Sequence, residues 1–227
     1  MPVVVAFCSQ KGGVGKSTLA RALAAVAAHA GLNVLLADLD PQQRTLMQWQ
    51  KARTANKVSP LITVADFSNV SDVILAGEKR DLVVVDTPGG ANQSTLEIAR
   101  RAHLIVQPTG PSVDDLYPSV LLFHELKEAG IPRARLVAAI CRVLEEDEEK
   151  AARLYLIEAG YEVLPGSIPE AGAFRIAQNR GQALTEAREK SISSRADALI
   201  ERLLIKVADA AAPAVAEISK PKKGDAA

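Results

Sequence analysis

Cysteine, aromatic residues and net charge are all scarce in this 227-residue sequence. The two cysteines, Cys8 and Cys141, lie in apolar, strand-like runs, which predicts small core residues in a reducing compartment rather than a disulfide or a metal site. Aromatic residues make up 4% of the chain and hydrophobic residues 48%, so we expect an aliphatic core. Such a core is typical of buried parallel strands with helices on both faces.

The formal net charge is zero, which argues against a protein that coats nucleic acid by bulk charge but leaves local basic patches open. No apolar run reaches the length that a bilayer-spanning helix needs. No secretory signal precedes the first apolar run. We therefore expect a cytoplasmic protein with one large domain.

A glycine-rich stretch, SQKGGVGKST at residues 9–18, lies between the apolar run Val3–Cys8 and the alanine-rich periodic segment Leu19–Ala30. It matches the phosphate-loop pattern in the context that this motif requires, after a strand and before a helix. Glycines let the backbone wrap an anion, the helix N-terminus favours phosphate, Lys16 adds a full charge, and Ser17 would bind magnesium. A glycine-rich turn that binds nothing would not need Lys-Ser-Thr at the helix start. The predicted binding residues in this stretch are Gly12, Gly13, Val14, Gly15, Lys16, Ser17 and Thr18.

Carboxylates follow two other apolar runs. The run Val34–Ala37 leads into Asp38 and Asp40, and the run Leu82–Val85 ends in Asp86. Ligands of open α/β sheets bind at the carboxyl ends of strands, so these carboxylates should lie near the phosphate loop. Each alone could be a turn or cap residue. With the loop, Asp86 suits a magnesium position and Asp40 suits orientation of an attacking water.

Strand-like and helix-like segments alternate along the rest of the chain, which predicts a mainly parallel sheet with right-handed crossovers. We expect a single-domain α/β P-loop fold over residues 1–207, with helices on both faces and Trp49 packed inward. Beyond that the composition changes to Ala, Pro, Lys and Gly without periodicity, so residues 208–227 are predicted to be a disordered tail.

Taken together, these motifs resemble the ParA/MinD family of deviant Walker A ATPases. The resemblance rests on Lys11–Thr18, on Asp38-Leu39-Asp40-Pro41-Gln42 and on Asp86-Thr87-Pro88. It covers residues 1 to about 205 and is strongest up to Pro108. The DxDPQ segment looks most like the ParA branch.

The resemblance implies an ATP- and magnesium-dependent hydrolase with weak intrinsic turnover. Lys11 would be the signature lysine that reaches across an ATP-sandwich homodimer to the other subunit's phosphates. Lys16 would hold the β and γ phosphates and Thr18 the α phosphate. The remaining implied roles are water orientation by Asp40, magnesium binding by Ser17 with Asp38 and Asp86 acting through water, γ-phosphate sensing from Asp86 onward, and an adenine seat at Pro169. Many relatives have two prolines after the strand-end Asp, whereas this chain has Pro88-Gly89-Gly90, which leaves the shape of that loop open.

The function implied is that of a small partition ATPase. Its ATP dimer would bind DNA nonspecifically at the nucleoid, and a ParB-like or other cargo adaptor would stimulate hydrolysis, so that a plasmid, chromosome or protein complex is positioned. The candidate DNA-binding residues are Arg180, Arg195, Arg202 and Lys206. The main alternative is a MinD-like membrane-cycling ATPase, which would need a basic, bulky amphipathic helix at the extreme C-terminus. An iron protein would need cluster-ligating cysteines, and an amide or biotin-pathway ligase fits Lys11 and the DPQ segment less well.

Overall fold

The computed structural model describes residues 2–40, 43–90 and 93–218. Within these residues, strands and helices alternate along almost the whole chain. The strands are β1 (Val3–Phe7), β2 (Val34–Asp38), β3 (Thr63–Asp66), β4 (Leu82–Asp86), β5 (Leu104–Thr109), β6 (Leu136–Val143) and β7 (Glu162–Pro169). The helices are α1 (Lys16–His29), α2 (Thr45–Ala55), α3 (Val70–Gly77), α4 (Gln93–Arg101), α5 (Val113–Glu128), α6 (Glu146–Glu158), α7 (Gly172–Asn179) and α8 (Lys190–Ile218).

The strands form one sheet in the order β3-β2-β4-β1-β5-β6-β7, and each neighbouring pair is parallel. Strand β1 lies at the centre, so the loop that follows it emerges at the middle of the carboxyl edge. Asp38 of β2 pairs in register with Asp86 of β4, and Asp86 pairs with Phe7 of β1. The sheet therefore brings the predicted carboxylates beside the phosphate loop.

Two aliphatic cores cover the two faces of the sheet, because side chains alternate along each strand. In β1, Val5 and Phe7 join one core, and Val4 and Ala6 join the other. The first core is completed by residues of α1, α2, α7 and α8, among them Leu19, Leu46, Phe174 and Leu203. The second is completed by residues of α3 to α6, among them Val73, Ile98, Phe123 and Leu156. The predicted α/β fold with helices on both faces is confirmed, and Cys8 and Cys141 are buried free thiols.

The predicted domain boundary at residue 207 falls within the last helix. Helix α8 continues to Ile218. Residues 208–212 are rich in alanine, the strongest helix former, which explains why the helix continues without a clear apolar period. The rest of the predicted tail, residues 219–227, lies outside the described residues. None of the helices in the described ranges is long and apolar enough to cross a membrane.

Candidate nucleotide-binding site

The phosphate loop has the backbone conformation that its glycines allow. Gly13 has φ 77° and Gly15 has φ 111°, both in the left-handed region that a residue with a Cβ rarely adopts. Gly15 is the N-cap of α1, which begins at Lys16. The first amides of a helix have no partner within the helix, so the loop and the start of α1 together offer backbone donors to an anion.

A cavity of about 590 Å³ lies over this loop and the carboxyl edge of the sheet. Its volume is in the range of small-molecule sites. The predicted residues that line it are Gly12, Gly13, Gly15, Lys16, Ser17, Thr18, Asp38, Asp40, Asp86 and Pro169. Val14 is buried beneath the loop, and Lys11 lies outside the cavity lining.

The two lysines of the motif have different surroundings. Lys16 is 8% exposed and its Nζ donates to the carbonyl of Lys11 at 3.0 Å. Burial lowers the pKa of Lys16, while the neighbouring Asp86 opposes this effect. The Lys11 side chain is 42% exposed, and its Nζ lies 3.6 Å from Oδ1 of Asp115 at the start of α5. Lys16 therefore points its charge into the cavity, and Lys11 holds its charge at the surface.

Asp38 and Asp86 play different parts at the sheet edge. The Asp38 carboxylate accepts from the backbone N–H of Asp40 at 2.8 Å and of Leu46 at 3.3 Å, so it fixes the chain that leaves β2. Asp86 is buried, and its Oδ1 has no hydrogen-bond partner among the described residues. Burial raises the pKa of Asp86 to about 7, although a hydrogen bond with Ser17 opposes the shift.

This donor set fits magnesium. A buried carboxylate oxygen without a partner needs an explanation, and a cation supplies one. The hydroxyl of Ser17 and the carboxylate of Asp86 offer hard oxygen atoms, which magnesium prefers as ligands or as acceptors for its bound waters. Both carboxylate oxygens of Asp38 accept from backbone amides. Asp38 is therefore better suited to contact a cation through a bridging water than to bind it directly.

The segment after Asp86 lies against the phosphate loop. The Thr87 hydroxyl donates to the carbonyl of Phe7 at 2.9 Å, and the Gly90 N–H donates to the carbonyl of Ser9 at 3.1 Å. A Cβ at Gly89 would come within 3.6 Å of the Gly12 nitrogen. That distance is an ordinary van der Waals contact, so space alone does not require glycine at position 89, whereas Gly90 has φ 104°, in the left-handed region that favours glycine.

Asp40 lies half-buried at the cavity, where its Oδ1 accepts from the Gln43 N–H at 3.3 Å. The following Pro41 and Gln42 of the DPQ motif lie outside the described residues. Pro169 at the end of β7 and Phe174 of α7 also lie on the cavity wall. The structure thus brings the predicted water-orienting residue and the predicted adenine seat to the same cavity.

Comparison with known proteins decides the family. The profile described as the CobQ/CobB/MinD/ParA nucleotide binding domain matches residues 5–185. The chain belongs to this family. A protein named ParA from Rhizobium radiobacter is 30% identical over 181 residues, which cover 77% of this chain and 81% of that protein.

Solved structures of the family share the fold. The septum site-determining protein MinD of Pyrococcus horikoshii OT3, complexed with Mg-ADP, aligns with a TM-score of 0.71 at 18% identity over 89% of this chain and 96% of that one. A putative plasmid partition protein of Borrelia burgdorferi B31, bound to AMPPNP, aligns with a TM-score of 0.69 at 17% identity over 91% and 100%. The predicted ParA/MinD membership is confirmed, and the chain is a nucleotide-binding protein of a family of ATPases.

In this ParA/MinD protein, two of the four candidate DNA-binding residues are paired with carboxylates and the other two are exposed to solvent. Arg195, Arg202 and Lys206 follow one face of α8, at positions i, i+7 and i+11. Arg195 donates to Ser167 at 3.1 Å and lies 3.7 Å from Glu149, and Lys206 is paired with Glu162. Arg202 and Arg180 are exposed to solvent. Carboxylates therefore neutralise part of the predicted basic face.

Sequence reasoning missed several residues that line the cavity, chiefly Arg21, Gln178 and Arg142. Arg142 has φ 62°, at an irregularity in the pairing of β6 with β7, and its Nε lies 3.2 Å from Glu170. No motif in the sequence indicates that Arg142 lines the cavity. Arg21 did carry a signal, because it is a single charge within the alanine-rich segment after the phosphate loop.

Proposed function

We propose that this chain is a ParA-type ATPase that forms an ATP-sandwich homodimer, binds DNA nonspecifically and positions a cargo. Its cargo adaptor would be a ParB-like or other protein that stimulates hydrolysis. Family membership supports the ATPase activity, and the similarity to the ParA protein of R. radiobacter supports assignment to the partition branch. The cavity with its phosphate loop supports ATP and magnesium as cofactors.

The observation that carries the proposal is the placement of Lys11. One lysine, Lys16, already serves the cavity from within, and a self-contained site has no use for a second one outside it. The Lys11 side chain is partly exposed at the front of the loop. It is therefore available to phosphates bound by a second copy of this chain, which links dimerisation to the presence of ATP.

The residues of the cavity divide the work of binding. Lys16 and the loop amides hold the β and γ phosphates, and Thr18, two residues further along α1, holds the α phosphate. Pro169 with Phe174 forms the wall for the base. Ser17 holds magnesium directly, and Asp86 and Asp38 hold it through water. Magnesium supplies positive charge against the negative charge that develops on the β- and γ-phosphate oxygens during hydrolysis.

Hydrolysis depends on two loops that meet the phosphate loop. Asp40 orients the attacking water, and Asp38 fixes Asp40 through its backbone N–H. The Thr87–Gly90 segment contacts the phosphate loop directly, so it is placed to sense the γ phosphate. Release of that phosphate would loosen both loops and, with them, the dimer.

Retention of the protein on a column of immobilised DNA tests the proposal. Wild-type protein is applied with ATP, with ADP or without nucleotide, and each is eluted over a salt series. Retention with ATP alone that falls steeply with salt supports the proposal, since phosphate contacts release counterions. Retention that is the same with ATP, with ADP and without nucleotide rejects the proposal, and so does the absence of retention. A parallel arm with anionic vesicles reports the MinD-like alternative, for which ATP-dependent sedimentation with lipid is the diagnostic result.

A further inference from the structure

Arg21 is a buried cation at the nucleotide cavity that the proposed function does not use. It lies on α1, one turn beyond Thr18, and is 5% exposed. Arginine is seldom buried without compensation. Burial lowers the pKa of its guanidinium to about 10, and the charges of Asp86 and Asp38 oppose this shift.

One guanidinium links three helices. Its Nη2 donates to the carbonyl of Thr45, the first residue of α2, at 2.9 Å, and its Nη1 donates to Oε1 of Gln178 on α7 at 3.3 Å. Its Cζ lies 5.6 Å from the ring centroid of Trp49, also on α2. Hydrogen bonds from a charged group are stronger than neutral ones, so these contacts constrain α2.

The contact with Thr45 lies where the loop that carries Asp40 enters α2. The Asp38 carboxylate also contacts this segment, because it accepts from the N–H groups of Asp40 and Leu46. Further along α2, Trp49 Nε1 donates to the carbonyl of Gln182 at 3.1 Å. The body of α2 is therefore docked, and Arg21 fixes its first turn.

Gln178 connects this contact to the rest of the cavity. Its Nε2 donates to Oγ1 of Thr18 on the phosphate-loop helix at 3.4 Å, while its Oε1 accepts from Arg21. Gln178, Thr18 and Arg21 all line the cavity. A nucleotide that displaces Gln178 would change the partner of Arg21.

The Arg21 side chain also has one unpaired hydrogen-bond donor among the described residues. Its Nε is buried and has no acceptor in the part of the chain that the structure describes. An unpaired buried donor is destabilising, so a rearrangement that brings an acceptor to Nε is favoured.

We propose that Arg21 is a positioning residue that fixes the first turn of α2, and hence Asp40, and that it couples this turn to the nucleotide through Gln178. The inference rests on the proposed function, because Asp40 is the water-orienting residue there. Arg21 acts on α2 rather than on the phosphates. Its loss should therefore lower kcat more than it weakens nucleotide binding.

Hydrogen exchange of the backbone amides tests the contact without reference to hydrolysis. Arg21→Met keeps an unbranched apolar stem in place of the arginine stem and removes the guanidinium donors. In nucleotide-free protein we expect exchange of residues 43–48 to be about tenfold faster than in wild type, with the strands of the sheet unchanged. Wild-type exchange at residues 43–48 in a folded Arg21→Met protein overturns the inference.

Two further variants keep the test decisive if Arg21→Met does not fold. Arg21→Lys keeps the charge but replaces the planar guanidinium with one ammonium group on a shorter side chain, so its contact with the Thr45 carbonyl should be weaker. An intermediate exchange rate is expected, and wild-type exchange contradicts the contact. Gln178→Met removes the contact of Arg21 with α7, together with the contact of Gln178 with Thr18, and leaves the contact of Arg21 with Thr45 in place. Its exchange without nucleotide should match wild type, whereas the protection that ATP gives to residues 43–48 should be lost. Retention of that protection overturns the coupling.

Steady-state kinetics supply the readout that a merely structural role would not move. We expect kcat of Arg21→Met to fall about tenfold while the Kd for ATP changes less than about threefold. A fall in ATP affinity with unchanged kcat overturns the positioning role. If wild-type protein binds no ATP, the proposed function fails, and exchange in the nucleotide-free proteins still decides whether Arg21 fixes α2.

Discussion

The Lys11 ammonium lies 3.6 Å from the Asp115 carboxylate of the same subunit. Asp115 is in the first turn of α5, and its carboxylate packs on Gly110 so closely that a Cβ there would come within 2.1 Å of Oδ2. The preceding residue, Gln10, reaches Glu125 on the same helix at 3.3 Å. The front of the phosphate loop is therefore attached to α5 in the single subunit.

This ion pair should compete with dimer formation. If Lys11 binds phosphates of a second copy, it must leave Asp115, so Asp115→Asn should favour the ATP-bound dimer. Partly exposed ion pairs contribute up to about 1 kcal/mol each, and one pair breaks in each subunit, which corresponds to a dimer dissociation constant up to about 30-fold lower. Sedimentation velocity with a non-hydrolysable ATP analogue measures this constant. Asp114→Asn is the matched control, because Asp114 is the exposed neighbour and gives the same change in charge.

Replacement of each lysine by glutamine should separate binding from dimerisation. Lys16→Gln removes the charge inside the cavity and should abolish measurable ATP binding in titration calorimetry. Lys11→Gln should bind ATP in the monomer about as well as wild type but show no ATP-dependent dimer. Lys51→Gln, at an exposed position of α2, controls for the loss of one positive charge. An ATP-dependent dimer of Lys11→Gln would contradict the role given to Lys11.

The sheet edge could be predicted from sequence because its signals are local. Phosphate-loop glycines, strand-end carboxylates and apolar runs all lie within short segments, and parallel strands must present their carboxyl ends at one edge. The contacts of Arg21 with Thr45 and Gln178 could not be predicted, since they join helices far apart in the chain. The same holds for Arg195, whose partner Glu149 lies on α6. A basic residue on a helix is usually solvated, so only the packed structure reveals which ones are paired.

Asp40→Ala should trap the ATP-bound state. The carboxylate that orients the water is lost, whereas the groups that hold nucleotide remain. We expect hydrolysis to fall by about 100-fold or more with ATP affinity nearly unchanged. Size-exclusion chromatography with ATP should show a long-lived dimer that is retained on DNA. A variant that stays monomeric in ATP, with wild-type affinity for the nucleotide, would refute the role of Asp40.

Glu186 should be needed for stability rather than for activity. It pairs at 2.7 Å with Arg53, whose side chain is 1% exposed, so Glu186→Gln leaves a buried charge unpaired. Loss of one partner of such a pair costs about 3 kcal/mol of unfolding free energy. Urea unfolding at pH 7 measures this loss, and Glu189→Gln is a nearby exposed control.

The Arg53–Glu186 pair also predicts a dependence on pH. Burial raises the pKa of Glu186, but hydrogen bonds from Arg53 and from the Ala183 N–H outweigh it, so the pKa is lowered overall. The stabilisation is therefore present above the ordinary pKa of a glutamate, near 4.5, and is lost as the pH falls below it. The difference between wild type and Glu186→Gln should shrink in acid. A difference that stays constant down to pH 3 would contradict the ion pair as its source.

Asp86 predicts the opposite dependence in nucleotide- and magnesium-free protein. Burial raises its pKa from 3.8 to about 7, so folding favours the protonated carboxyl. Wild type should lose the stability that this carboxyl provides as the pH rises from 4 through 7, because an ionised Asp86 then lies buried with Oδ1 unpaired. Asp86→Asn stays neutral throughout. We expect it to match wild type within error at pH 4 and to exceed it by about 4 kcal/mol at pH 8 in urea unfolding. The same variant should lose magnesium-dependent ATP affinity, since the negative charge that favours a cation is gone. Equal stability of the two proteins at both pH values would show that Asp86 is not destabilised by its burial, and would remove the physical reason for a cation beside it.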